Sequence, residues 1–233
     1  MKKGETLSTP ATSAADFLPS QHNLTALRRA AADCQGCELY KQATQTVFGE
    51  GPKSARVVLV GEQPGDQEDR SGQPFVGPAG GLLDKALEAA GIDRREVYVT
   101  NAVKHFKWVA RGKRRLHAKP SAREMNACRP WLEAELAVIE PQIIVCLGAT
   151  ASQSLLGRSF RLTRQRGEIL AGDYGRILAT YHPSAILRAP DEQARHEMFE
   201  SFVDDLHVVA ERLKSADGGA GRRRENHARS SAR

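Results

Sequence analysis

The chain has 233 residues, 40% of them hydrophobic and 27% charged, the balance of a soluble globular domain and not of a fibrous or disordered chain. Its net charge is +6, from 34 Lys and Arg against 28 Asp and Glu, which points to a polyanionic partner. No stretch approaches the ~20 consecutive apolar residues of a membrane span, and four cysteines are too few for a disulfide scaffold in a chain this long.

The start, MKKGETLSTPATSAADF, carries two lysines with no apolar run behind them, so a cytoplasmic location is expected. Residues 1–21, rich in Ser, Thr, Ala and Pro, read as a flexible leader. One compact domain is expected over 22–214, as a monomer. Residues 215–233 hold five arginines and read as a basic disordered tail.

Within the domain, the segment from Arg56 to Gly61 is a buried strand, and Gly80 to Ala90 carries apolar residues at helical spacing up to Gly91. Val97 to Asn101 is a second strand. Ser121 with Glu124 three residues on is a capping-box start for a helix that ends at Pro141. A third strand follows at Ile143–Gly148 and a short helix at Ala149–Leu156. The fourth strand covers Arg176–His182, and a long helix runs from Asp191 to Leu213. Alternating strands and helices predict a three-layer α/β/α domain around a central, mostly parallel four-stranded sheet. Ligands in such folds bind beyond the carboxyl ends of the strands.

At those ends stand Gly61-Glu62-Gln63-Pro64-Gly65-Asp66, Thr100-Asn101, Gly148 and His182-Pro183-Ser184. Polar residues commonly follow apolar strands. Here, though, a carboxylate, two amides and an imidazole converge on one edge, and turn chemistry alone would favour Asp, Asn or Ser where Glu62 and Gln63 stand. The loop Pro74-Phe-Val-Gly-Pro-Ala-Gly-Gly81 meets a helix start, where backbone N–H groups attract anions. It is neither a Walker loop nor a dinucleotide fingerprint, which disfavours nucleoside triphosphates and NAD. Cys34-Gln-Gly-Cys37 follows a short helix and not a strand, which argues against a thioredoxin-type site; the second Cys-x-x-Cys of a zinc ribbon is missing. Cys146 sits inside the apolar run IIVCLG and reads as a buried thiol.

Taken in order, GEQPGDQEDRSGQPFVGPAGGLLD, YVTNAVKHFK, KRRLH and HPSAIL resemble the uracil-DNA glycosylase superfamily, over roughly residues 24–212. The resemblance is to the iron–sulfur family 4 branch, and most closely to its UdgX offshoot, whose insertion usually reads KRRIH. It implies excision of a flipped-out uracil from single- or double-stranded DNA. Phe75 would stack on the base, Asn101 would read its O4 and N3–H edge, and His182 would hydrogen-bond O2, with Gly61, Gln63 and Asp66 shaping the pocket. Glu62 and His117 carry the UdgX expectation: after uracil leaves, His117 bonds covalently to C1′. Lys113, Arg114 and Arg115 are expected to keep its imidazole neutral. Two other readings stay open: a hydrolytic family 4 enzyme that releases a free abasic site, and a non-catalytic binder of nucleic acid. In either, the KRRLH run is a basic loop for phosphate.

The same resemblance implies a [4Fe–4S] cluster on Cys34, Cys37, Cys128 and His105, with histidine where family 4 has its remaining cysteine. For DNA phosphates the candidates are Gly77, Lys113, Arg114, Arg115, Ser184 and Arg188, with Leu187 as an apolar wedge.

Overall fold

The computed structural model describes residues 13–230, and side chains through residue 216. The first twelve residues of the expected leader, and the side chains of the expected basic tail beyond 216, lie outside the described residues.

In chain order the elements are α1 (Leu24–Ala31), β1 (Val57–Gly61), α2 (Asp66–Ser71), α3 (Pro78–Ala89), β2 (Val97–Asn101), β3 (Trp108–Arg111), β4 (Arg114–His117), α4 (Ala122–Ile139), β5 (Ile143–Leu147), α5 (Ala149–Leu156), α6 (Leu162–Gln165), β6 (Ile169–Gly172), β7 (Gly175–Thr180), α7 (Pro183–Leu187) and α8 (Glu192–Ser230). The central sheet has the order β2-β1-β5-β7-β6. Its first four strands are parallel and are the ones expected from sequence; β6 adds a fifth, antiparallel to β7. That edge strand is four residues long and only partly buried, and its apolar stretch is the short Ile169–Ala171.

Side-chain alternation along the strands splits the core into the two faces of a three-layer fold. Val57 and Leu59 of β1 pack with Leu83 and Leu87 of α3 and with Phe202, Leu206 and Val209 of α8. Val58 and Val60 face the other way, onto Leu132, Leu136 and Ile139 of α4 and Ala151 and Leu155 of α5. A third cluster lies outside α4, where Trp131 and Cys128 meet Leu27, Ala31, Cys34 and Phe48.

Two expectations change here. Part of the expected leader is packed: Ser13 caps a 3-10 turn at Ala14–Phe17, and Ala14 is buried in the third cluster. A side chain at Gly36 would run into the backbone of Ala14, so the small residues on both sides let the two segments touch. Beyond Leu213, where the sequence reading ends the last helix, the backbone of α8 continues to Ser230. Among the described residues no helix is long and apolar enough to cross a membrane.

The chain passes from β1 out to β2 and then returns to the far side of β1 as β5. Strand order therefore reverses between β1 and β5. A crevice at the carboxyl ends of the strands follows from that reversal.

Candidate active site

A cavity of about 840 Å³ opens at this crevice. Glu62, Gln63, Phe75, Asn101, His117, His182, Ser184 and Arg188 all line it, so one site gathers groups that are up to 126 positions apart in sequence. Register explains the first pair: Gly61 is paired with Asn101, so β1 and β2 end level and release Glu62 and Asn101 side by side.

Gly61 leaves room for both neighbouring site residues. A Cβ there would overlap Asn101 Oδ1 and come within 2.9 Å of Phe75 Cζ. Phe75 itself has φ +57°, a left-handed backbone that a bulky side chain rarely adopts. Gly80, the third residue of α3, makes this possible, since any Cβ at 80 would collide with the Phe75 carbonyl oxygen. Strain of this kind is concentrated at binding sites. It brings the Phe75 ring to 6.1 Å from the His182 ring, inclined by 27°.

His182 is the N-cap of α7. Its Nδ1 accepts the Ser184 N–H at 3.1 Å and the Ser184 hydroxyl at 2.8 Å, which leaves the ring proton on Nε2. Burial, with Arg188 and His117 adding repulsion, pushes its pKa down to about 4. It is therefore a neutral N–H donor at physiological pH.

The Lys113–His117 segment is the outer half of a two-stranded hairpin and not a loop. Trp108 is paired with His117 and Arg111 with Arg114, and Gly112, at φ +59°, opens the two-residue turn. Gln63 holds the hairpin by its base: its Nε2 donates to Lys107 O and Ala118 O, both at 3.1 Å, and its Oε1 accepts the Lys107 N–H. Arg115 pins the hairpin's side through ion pairs to Asp66 and Asp69 and a hydrogen bond to Thr44, its guanidinium over the rings of Phe106 and Trp108. His117 then stands at the cavity with Nε2 at 3.4 Å from Glu62 Oε1. Burial lowers its pKa; the Glu62 charge opposes the shift and Arg188 reinforces it.

Four expectations are corrected by this geometry. Asp66 is not a cavity wall: burial opposes its ionisation, yet Arg70 and Arg115 bind it and hold its carboxyl below the usual range. Arg115 is a paired anchor and not a free phosphate ligand. The lowered pKa of His117 comes from partial desolvation of its half-exposed ring and from Arg188, not from the Lys113–Arg115 run. The Gly77 N–H already donates to Glu68 Oε1 at 2.7 Å, so it does not await a phosphate. Lys113 and Arg114 do remain exposed at the hairpin tip, and Leu187 is 37% exposed beside Arg188.

Cys34, Cys37 and Cys128 lie apart from the cavity, in or against the third core cluster. The Trp131 indole N–H donates to Cys34 Sγ and the Lys104 N–H to Cys128 Sγ, both at 3.2 Å. N–H groups aimed at buried sulfur suit cluster-bound thiolates. Burial pushes the free Cys128 thiol up to about 12, with Lys104 working the other way. His105 is buried and neutral, its pKa pushed down to about 4 by burial, but its Nε2 lies 2.9 Å from Thr46 Oγ1. It would ligate through Nδ1, or after giving up Thr46. No three His, Cys, Asp or Glu side chains among the described residues converge on a point that would hold a single ion. Cys34, Cys37 and Cys128 share one region of this layer, and His105, the fourth expected ligand, is engaged with Thr46. Cys146 is fully buried in β5, as expected.

Sequence reasoning missed Tyr181, Thr150 and Lys119 in the cavity wall, and missed a buried Lys104–Glu135 pair. A lysine inside the apolar segment NAVKHF and a glutamate on the apolar face of WLEAEL were the available signals.

The model of the uracil DNA glycosylase superfamily matches residues 48–207. A type-4 uracil-DNA glycosylase of Thermotoga maritima is 37% identical over 171 residues, covering 72% of this chain and 85% of the relative. One from Archaeoglobus fulgidus is 34% identical over 186 residues, covering 76% and 87%. A type-5 uracil-DNA glycosylase of Pyrobaculum aerophilum is 32% identical over 153 residues, covering 58% and 64%. The fold, the switch-point cavity and these matches agree: the chain belongs to the uracil-DNA glycosylase superfamily, with type-4 enzymes among its relatives.

Proposed function

We propose that this protein excises uracil from DNA and is then joined through His117 to C1′ of the abasic sugar. The observation that carries the reading is the convergence of Glu62, Phe75, Asn101, His117 and His182 on one cavity. The flipped uracil stacks on Phe75, a carboxamide at 101 meets its O4 and N3–H edge, and the Nε2–H of His182 donates to O2. As the C1′–N1 bond breaks, its electron pair leaves on uracil, and the donors at 101 and 182 stabilise that anion. Glu62 faces the cationic sugar. An imidazole nitrogen of His117 supplies the pair for the new C1′ bond, and the ring proton passes to Glu62 or to solvent. Lys113, Arg114 and Arg188 are the phosphate contacts; Ser184, also expected there, already directs its hydroxyl and N–H to His182 Nδ1.

A [4Fe–4S] cluster on Cys34, Cys37, Cys128 and His105 would cross-link the N-terminal segment to α4 and take no part in the chemistry. The type-4 names of the relatives favour a second reading, in which water replaces His117 and a free abasic site is released. Labelled oligonucleotides carrying uracil, cytosine or thymine test the shared part of both readings. Uracil is expected to be released and the other bases retained; equal release from all of them contradicts the assigned pocket.

A further inference from the structure

Lys104 and Glu135 are fully buried, and Nζ lies 2.5 Å from Oε2. Glu135 also accepts hydrogen bonds from the Tyr98 hydroxyl at 2.9 Å, the Gly49 N–H at 3.0 Å and the Thr100 hydroxyl. Lys104 Nζ reaches Thr100 Oγ1 at 2.6 Å and, at 2.8 Å, the backbone carbonyl of Asn101. A buried pair like this adds little net stability over an apolar pair of the same volume, because desolvation offsets most of the attraction. What it does supply is geometry.

The Asn101–Ala102 peptide is held from both sides. Its carbonyl accepts from Lys104 Nζ, and its N–H donates to Gly61 O at 2.9 Å; the next N–H, of Val103, donates to Glu62 O at 3.0 Å. One ammonium thus fixes the plane from which the Asn101 side chain projects and, through the strand-end bonds, the start of the Glu62 loop. The same residue faces the cysteines with its backbone: its N–H donates to Cys128 Sγ at 3.2 Å, and its carbonyl accepts the Val47 N–H at 2.8 Å.

We infer that Lys104, held by Glu135, is a positioning residue that sets the orientation of Asn101 and ties the base-reading edge to the cysteine-bearing layer. This rests on the reading of Asn101 as the uracil contact. It makes two otherwise separate regions, the pocket and the third core cluster, one mechanical unit.

The test uses the full chain and a uracil-containing single strand, with single-turnover excision rate and half-saturating enzyme concentration measured separately. Lys104→Met alone leaves Glu135 buried without its cation and is expected to melt at lower temperature. The double variant Lys104→Met with Glu135→Leu removes both charges, so its melting temperature should return toward that of the wild type. Its excision rate should nonetheless stay about 10-fold or more below wild type, since misplacement by even an ångström carries costs of that order. Half-saturation should change little, because the phosphate contacts are untouched. Tyr98→Phe is the control: it removes one Glu135 hydrogen bond and leaves the Lys104–Asn101 contact intact, so it should lower stability with no loss of excision rate.

A double variant that excises at the wild-type rate overturns the inference. So does a Tyr98→Phe enzyme that slows as much as the double variant. If the double variant is insoluble, Thr100→Val carries the test, since it deletes the hydroxyl that aims Nζ. A several-fold slower excision is then expected, and an unchanged rate refutes the positioning role. A wild-type chain that releases no uracil overturns the functional reading itself, and this inference with it.

Discussion

Gln63→Leu removes the clamp at the base of the β3–β4 hairpin and nearly preserves side-chain volume. Three hydrogen bonds, all at 3.1 Å, are lost at once, from Lys107 O, Ala118 O and the Lys107 N–H. Net hydrogen-bond contributions of about 1 kcal/mol each set an upper figure near 3 kcal/mol. Lys107 and Ala118 are only half-buried, so water repays part of it, and about 2 kcal/mol is the reasoned cost. Arg115 still pins the hairpin's side through Asp66 and Asp69, so the loss should appear as local opening and not as global unfolding. Hydrogen exchange is the assay: amides of residues 108–117 should exchange at least ~10-fold faster, while those of β5 and β7 keep wild-type protection. Capture by His117 should slow in parallel, because its distance to Glu62 is set by the hairpin. Unchanged exchange in the hairpin, or equal acceleration throughout the sheet, refutes the clamp.

Other perturbations separate the parts of the site. His182 has a pKa near 4 in the folded protein against about 6.5 when unfolded, so between those values the unfolded state binds the extra proton. Stability should therefore fall as pH drops from 7 to 5, by about 2 kcal/mol from this residue, and urea titrations of His182→Asn should show a correspondingly shallower slope. Gly61→Ala is expected to fold with a loss of about 1–3 kcal/mol and to lose most uracil excision, because the new methyl meets Asn101 and Phe75; full activity would remove the steric argument. Anaerobically purified protein should carry ~4 iron and ~4 sulfide per chain. Cys34→Ala and Cys128→Ala should lose them and Cys146→Ala keep them, as iron analysis would show.

The parallel strands were legible because each is a short apolar run ending in polar residues, and that pattern also marked Glu62, Asn101 and His182. The edge strand β6 was not, because its apolar stretch, Ile169–Ala171, is short and only partly buried. The KRRLH segment reads as a basic loop because charge dominates its composition; its hairpin depends on pairing with Trp108–Arg111 and on Asp66 and Asp69, which local sequence does not reveal. For the same reason Asp66 looked like a pocket residue: a carboxylate at a strand end reads the same whether it faces a ligand or an arginine from another element. The resemblance assigns Phe75 to the base, and the left-handed backbone that presents it depends on Gly80, five positions on. The Lys104–Glu135 pair joins a strand end to the middle of a helix, a long-range contact with no spacing signature.

The central claim is a covalent bond between His117 and the abasic sugar. Single-stranded uracil DNA is incubated with wild type and with His117→Ser, then resolved by denaturing electrophoresis beside an alkali-treated sample. Wild type should give a protein–DNA adduct that survives denaturation. His117→Ser should give none, while still releasing uracil and leaving an alkali-cleavable abasic strand, since Phe75, Asn101 and His182 remain. An adduct that persists in His117→Ser, or a wild-type enzyme that only releases free abasic DNA, would contradict the account.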